Sequence, residues 1–189
     1  MPRVNEAVKS KAGKPVKCGR CDKKIEAGEQ YFFFAFFRSG KQYRCKDHRP
    51  RQSELTQTPM SQAYAAIESV EGVITDAHAG KADISAIASA LHDAASDVES
   101  CKEEYEGQKD NLPENFQNGQ QGEEIDEKVD GLDTFHDTLE DAASEVDSLE
   151  SEEENTEAAE GEEEKEEEED SPLDKAIELA ENALGEFSL

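Results

Sequence analysis

Apolar residues recur at helical spacing in three stretches of this chain and at strand spacing in one. The first helical series is Tyr64, Ile67, Val70, Ile74 and Ala77, after Pro59. The second is Ile84, Ile87, Leu91, Ala94, Val98, Cys101 and Tyr105, whose steps of three and four alternate as a heptad stripe. The third is Ile125, Val129, Leu132, Phe135, Leu139, Ala142, Val146 and Leu149. Between the second and third lies a stretch rich in Asn, Gly and Pro, so the pattern predicts two helices zipped as an antiparallel hairpin. Their Ala and Val positions permit close approach but give a thin core, which a partner or a second copy would thicken. The strand-like stretch is aromatic and spans 30–38. Ser39 and Gly40 offer a hairpin turn, and 41–44 returns.

Charge divides the chain again. Residues 1–51 hold 14 Lys/Arg against 5 Asp/Glu, and residues 52–189 hold 6 against 42. A basic head and an acidic remainder follow, which points to partners of opposite sign for each. Residues 150–170 contain 14 acidic residues and one Lys, too self-repulsive and too polar to pack. After them, Ser171, Pro172 and Asp174 read as a helix start, and Leu173, Ile177, Ala180 and Leu184 as one apolar face. On its acidic tether this helix has the look of a docking motif.

The divisions expected are a flexible basic arm over 1–16 with Arg3, Lys9, Lys11 and Lys14, a metal module over 17–56, and helices over 57–110. A loop over 111–122, a helix over 123–150, a disordered acidic linker over 151–170 and an amphipathic helix over 171–189 complete the chain. No apolar run reaches the ~20 residues of a membrane span, and no signal-peptide pattern follows the basic N-terminus, so a cytoplasmic setting is expected.

The most specific motif is Cys18-Gly19-Arg20-Cys21, followed by Cys45 and His48. Two ligand pairs at this spacing supply three thiolates and an imidazole, the soft tetrahedral set of a closed structural Zn²⁺ site. Gly19 is expected to ease the tight turn of the knuckle. The segment is too short to fold on apolar burial alone, and bound zinc can replace the missing core. The fold class expected is therefore a small zinc-stabilised β ribbon, zinc-ribbon or treble-clef-like, followed by an α-helical hairpin, a disordered acidic linker and a short C-terminal amphipathic helix. Pro50 argues against a long helix at the second ligand pair and favours the ribbon form.

Seven of the 12 aromatic residues fall within 31–43, interleaved with cations. Alternation would put Tyr31, Phe33, Ala35 and Phe37 on one strand face and Phe32, Phe34 and Phe36 on the other. One face can be core. The other can stack exposed bases while Lys and Arg meet phosphates, or can serve as a packing face. The residues expected at a nucleic-acid surface are Arg20, Lys23, Lys24, Tyr31, Phe33, Phe37, Arg38, Lys41, Tyr43, Arg44, Arg49 and Arg51. His78, His92 and His136 show no ligand pattern, Cys101 falls on the heptad stripe as a core residue, and no nucleophile triad or phosphate loop is visible. A non-enzymatic protein is expected.

The residues Cys18-Gly-Arg-Cys21, Ile25, Gly28-Glu29, Tyr31, Tyr43-Arg44-Cys45, Arg49-Pro50-Arg51 and Ser53-Glu54-Leu55-Thr56 resemble a family of small tailed-phage zinc-finger proteins. Tyr105 and Asn111-Leu112-Pro113-Glu114 look similar too, so the resemblance covers about 17–150. It implies the zinc ligands and a host-cytoplasmic setting but no catalytic role, and His48 stands where Cys would equally be expected. The acidic tail looks like an addition to that family. Together these readings imply a nucleic-acid-binding adaptor, with an acidic tail that competes for the basic head or recruits a protein. The alternatives are a protein that mimics nucleic acid toward a basic DNA-binding enzyme and a helical assembly factor. Self-association through the hairpin is a further expectation.

Overall fold

The computed structural model describes residues 2, 4–7, 15–37, 40–157 and 171–187, with the backbone alone at 7 and 152–157. The chain divides into two compact units, Met1–Ser61 and Gln62–Leu189. It is mostly helical, with two small antiparallel sheets in the first unit.

In that unit β2 (Val16–Lys17) pairs with β3 (Lys24–Ile25) around the Cys18–Cys21 turn. The aromatic strand is shorter than its pattern suggests. It forms β4 (Tyr31–Phe34), which pairs with β5 (Gln42–Cys45) in the register Phe33 opposite Tyr43 and Tyr31 opposite Cys45. Arg38 and Ser39 lie outside the described residues. The expected flexible arm needs a correction, because β1 (Asn5–Ala7) adds to the other edge of β4. An unpaired strand edge presents a row of backbone donors and acceptors, and a third strand satisfies it. Arg3, Lys9, Lys11 and Lys14 lie outside the described residues. A single helical turn, α1 (Gln52–Leu55), follows the second ligand pair. The buried hydrophobic residues from the metal knuckle to β5 are Cys18, Ile25, Phe34 and Cys45, which is little core for a fold of this size.

The helical unit is built from α2 (Met60–His78), α3 (Ile84–Asp110), the short α4 (Glu114–Gln117), α5 (Gln120–Glu157) and α6 (Pro172–Gly185). A 6→1 bond from Lys81 N–H to Asp76 C=O and a 5→2 bond from Gly80 N–H to Ala77 C=O, with Gly80 at φ +66°, end α2. The left-handed position suits glycine and turns the chain back within five residues. Asp83 then caps α3 by accepting from Ala86 N–H at 2.9 Å. The hairpin expected from the sequence is present as α3 against α5. Every member of the second series is buried, as are Ile125, Leu132, Phe135, Leu139, Ala142 and Val146 of the third. The register is pinned by scarce cations on α3 meeting acids on α5. Lys102 reaches Asp133 at 2.8 Å, and Lys109 reaches Asp126. These hydrogen bonds to Asp133 and Glu99 hold the Lys102 ammonium well above the usual lysine range.

The hairpin is not alone, which corrects the expected thin core. On helix α2, Val70, Ile74 and Ala77 of the first series are buried as expected, while Ala63 and Ala66 are buried in place of Tyr64 and Ile67, which are half-buried. Gln62 bonds Glu104 across α2 and α3. Helix α6 packs on α5 and α3, burying Ala176, Ile177, Ala180 and Ala183 rather than the Leu173 and Leu184 flank. Phe187 closes the arrangement, 4.7 Å from the Phe135 ring and 5.6 Å from the Tyr64 ring. His78 of α2 also faces Glu181 of α6 at 3.6 Å. These contacts run α2, α3, α5 and α6 alternately up and down as an antiparallel four-helix unit. The face of the terminal helix that carries Ala176, Ile177, Ala180 and Ala183 is therefore covered within its own chain. Helix α5 runs to Glu157, past the boundary expected at 150, in keeping with the good helix propensity of Glu. The rest of the acidic stretch, 158–170, lies outside the described residues.

His92 on α3 sits between Asp147 at 3.2 Å and Glu140 at 3.4 Å, both on α5. The bond to Asp147, opposed by partial burial and aided by Glu140, raises its pKa above the ordinary value. The folded state thus holds its proton more tightly than the unfolded chain. That stability is fully present below pH ~6.5 and is lost as pH rises through the higher folded value. The ring is 43% exposed, so solvent limits the effect to about 0.5 kcal/mol. A thermal melt of the full chain is expected to fall by a degree or two from pH 6 to pH 8, and His92→Gln is expected to remove that part of the slope.

Candidate metal centre

Cys18 follows β2 directly, Cys21 closes the knuckle, Cys45 ends β5, and His48 follows one turn later, its N–H bonding Cys45 C=O at 3.0 Å. The knuckle is closed by Cys18 N–H to Lys23 C=O at 2.9 Å and Asp22 N–H to Cys18 C=O at 3.0 Å, with Asp22 at φ +55°. The four ligand atoms lie within 4.8 Å of one another. Cys45 Sγ is 3.2 Å from His48 Nδ1 and 3.9 Å from Cys21 Sγ, while Cys18 Sγ is 3.7 Å from His48 Nδ1. A tetrahedral ion with metal–sulfur bonds of about 2.3 Å separates its ligand atoms by about 3.5–3.8 Å. The separations of 3.2, 3.7 and 3.9 Å, with no pair beyond 4.8 Å, bracket those dimensions. The thiols are free, and a 3.9 Å sulfur–sulfur separation is far beyond a disulfide.

The electrostatics suit a cation. Burial works against ionisation of Cys18, but N–H groups of Cys45, Arg20 and Cys21 and the His48 side chain point at its sulfur and bring its pKa down to about 6. Burial and the neighbouring sulfurs of Cys18 and Cys21 push Cys45 the other way. Three sulfurs this close cannot all be thiolates unless a positive charge sits among them. Cys101 in the helical unit is a different case. Burial raises it to about 11, against the backbone of Ala63, as expected of an inert core thiol.

The residues expected at a nucleic-acid surface separate into two groups. Tyr31, Phe33 and Tyr43 gather on one face of β4 and β5. Tyr31 is 6.0 Å from Phe33 and 5.9 Å from Tyr43, and Lys41 Nζ lies 4.9 Å over the Phe33 ring. All three rings are half-buried. Phe37 is 89% exposed at the hairpin end. Arg49 and Arg51 are exposed, and Lys23 and Lys24 pair with Asp47 at 3.5 Å and Glu26 at 2.7 Å.

Arg44 does not belong to that surface. It is 7% exposed, its guanidinium lies 5.5 Å from the Phe34 ring, and its Nε and Nη2 bond Glu54 Oε1 at 3.0 and 2.9 Å. Arg20 Nη2 joins the same oxygen at 3.2 Å. Strand alternation turns Arg44 to the face opposite Tyr43, where α1 covers it. Glu54 was not singled out in the sequence, although its place three residues after Arg51 is a capping signal, and its carboxylate does accept Arg51 N–H at 3.0 Å. The role expected of Gly19 also changes. Its φ is not positive, and the requirement is space, because a Cβ there would strike Arg44 Nη1.

The geometry defines a small antiparallel β module carrying a Cys3His cluster compatible with a metal ion, together with an antiparallel helical unit. No family model, curated protein or solved structure matches the chain. Among the described residues, no helix is long and apolar enough to cross a membrane.

Proposed function

We propose that this is a non-enzymatic adaptor in which a structural Zn²⁺ ion, held by Cys18, Cys21, Cys45 and His48, organises a ribbon-like module that binds nucleic acid. The observation that carries the reading is the half-open face of Tyr31, Phe33 and Tyr43 with Lys41 above it, in the one part of the chain with a net positive charge. Aromatic faces stack bases without regard to sequence, and flanking cations neutralise phosphates. Four protein ligands leave zinc no open position for a substrate, which supports a structural ion over a catalytic one. Free thiols suit a reducing cytoplasm. The acidic run over 150–170 would compete with nucleic acid for the basic module. The phage-family resemblance adds nothing to this reading beyond the ligand set.

The test is binding of single- and double-stranded DNA and RNA at low and physiological salt. Ending the chain at Leu149 would remove α6 and unsettle the helices, so the better variant replaces the acids of 158–170 with Gln and Ser. Salt-sensitive binding is expected, tighter in the neutralised variant. Tyr43→Ala is expected to weaken it on the order of tenfold, the scale of one lost stack. Absence of salt-dependent binding in both forms would sink the reading. A second reading draws on the charge of residues 62–189, which hold 6 Lys/Arg against 41 Asp/Glu. Such a surface suits capture of a basic nucleic-acid-binding protein. Its mark is binding to that partner by a chain lacking residues 1–56.

A further inference from the structure

We infer that Glu54 is a positioning residue of the metal centre, its one carboxylate gripping Arg20 and Arg44 so that the Cys18–Cys21 knuckle keeps its ion-binding shape and is tied to α1. The inference rests on the metal reading above and concerns a residue that touches no ligand atom.

The chain of contacts is continuous. Arg20 lies inside the knuckle, and its backbone N–H points at Cys18 Sγ. Its side chain ends on Glu54 Oε1, 3.2 Å away. Arg44 ends on the same oxygen and spends a third donor, Nη1, on Tyr43 C=O at 2.8 Å. That carbonyl also accepts Gly19 N–H from the knuckle at 2.9 Å. The guanidinium lies where a Cβ of residue 19 would be, which fits the glycine there. Glu54 is itself held by the turn of α1 that it caps. Burial resists its ionisation, but the bonds to Arg44 and Arg51 and the charges of Arg44 and Arg20 keep its carboxyl below the usual range. A planar fork against a carboxylate fixes direction as well as distance, which a lysine at 44 would not do. Two cations otherwise assigned to phosphate are thus spent on the shape of the site. Groups that orient metal ligands from outside the coordination shell commonly change metal affinity by about 10- to 100-fold when lost.

The experiment uses the zinc-loaded full chain, titrated against a chromophoric chelator. Glu54→Gln is expected to loosen zinc by about 10- to 100-fold. Arg20→Gln should loosen it less, and the double variant no more than Glu54→Gln alone, because both break one shared contact. Thiol alkylation mapped by mass spectrometry separates positioning from plain destabilisation. In Glu54→Gln, the reaction of Cys18 and Cys21 should rise relative to Cys45 above the ratio seen in the wild-type chain, where the exposed Cys21 and the acidic Cys18 already lead. In Gly28→Ala, which strains a turn at φ +97°, all three should speed up alike and keep the wild-type ratio. Arg20→Gln leaves the buried Arg44–Glu54 pair intact, so it decides the matter by the same rise in ratio if Glu54→Gln fails to fold. A wild-type chain that holds no zinc would overturn the metal reading and this inference with it. A wild-type chain that holds zinc, with the tested variant equally tight or with its three thiols reacting in the wild-type ratio, would overturn the role of Glu54 alone.

Discussion

Removal of the ion proposed for the Cys3His cluster is expected to unfold the first unit and leave the helical unit standing. Among the described residues from the knuckle to β5, only Cys18, Ile25, Phe34 and Cys45 are buried as hydrophobic residues, and two of those belong to the Cys3His cluster. Such a core supplies a few kcal/mol at most, well short of the conformational entropy of ordering dozens of residues. In zinc-finger peptides the bound ion contributes on the order of 10–16 kcal/mol at neutral pH. Without it, an ionised Cys18 would also remain crowded against the Cys45 thiol with no cation beside it. The helical unit has its own core, including Leu91, Val98, Leu132, Leu139 and Val146, each fully buried. Addition of a strong chelator should therefore erase the dispersed amide signals of the β module while the helical circular dichroism barely changes. Cys45→Ser should do the same without chelator. Cobalt should restore the fold with the intense visible bands of a tetrahedral thiolate site. Survival of the module in chelator, or a chain purified without a stoichiometric metal, would contradict the expectation.

The second large effect concerns the last helix. Deletion of residues 171–189 removes Ala176, Ile177, Ala180 and Ala183 from the core and uncovers Phe135 and Tyr64 where Phe187 had packed. The lost burial amounts to about 5 kcal/mol, taking roughly 0.8 kcal/mol per buried methylene-sized group. Domains of this size hold about 5–15 kcal/mol in total, so the truncated chain should melt about 15 °C lower or lose fixed packing altogether. Ala180→Asp, which buries a charge at a fully covered position, should reproduce much of the loss in the intact chain. The measurement is a thermal melt by circular dichroism with dye binding as a gauge of exposed apolar surface. A truncated chain as stable as the full one would show that α6 adds nothing to the core.

Much of this was legible in the residues because it is local. Two Cys and His pairs at ligand spacing identify the cluster wherever the intervening chain goes, since each pair reaches one ion through its own turn. The heptad stripe from Ile84 to Tyr105 and its counterpart from Ile125 mark the α3–α5 seam, because an apolar row on a helix must be covered. The cap at Ser171 and Pro172 starts α6 where it was expected, with Ser171 accepting from Asp174 N–H at 3.2 Å. The features that were misjudged depend on what lies opposite. Alanines carry little hydrophobic signal, so on α2 and α6 the sequence points to Tyr64, Ile67, Leu173 and Leu184, which are half-buried, where the fold buries Ala63, Ala66, Ala176 and Ala183.

The sequence by itself therefore determined the candidate metal cluster, the helix periods, the helix caps and the division of charge, each set by residue chemistry and short-range spacing. Only the tertiary structure decided that α2 and α6 complete the helical core, because coverage of an apolar face is a long-range matter that no window of sequence contains. It likewise decided that Arg44 turns inward to Glu54 while Lys41 stays on the aromatic face. A cation's role follows from the acid or ring that the fold places within about 3–5 Å of it, and that neighbour is supplied by another part of the chain.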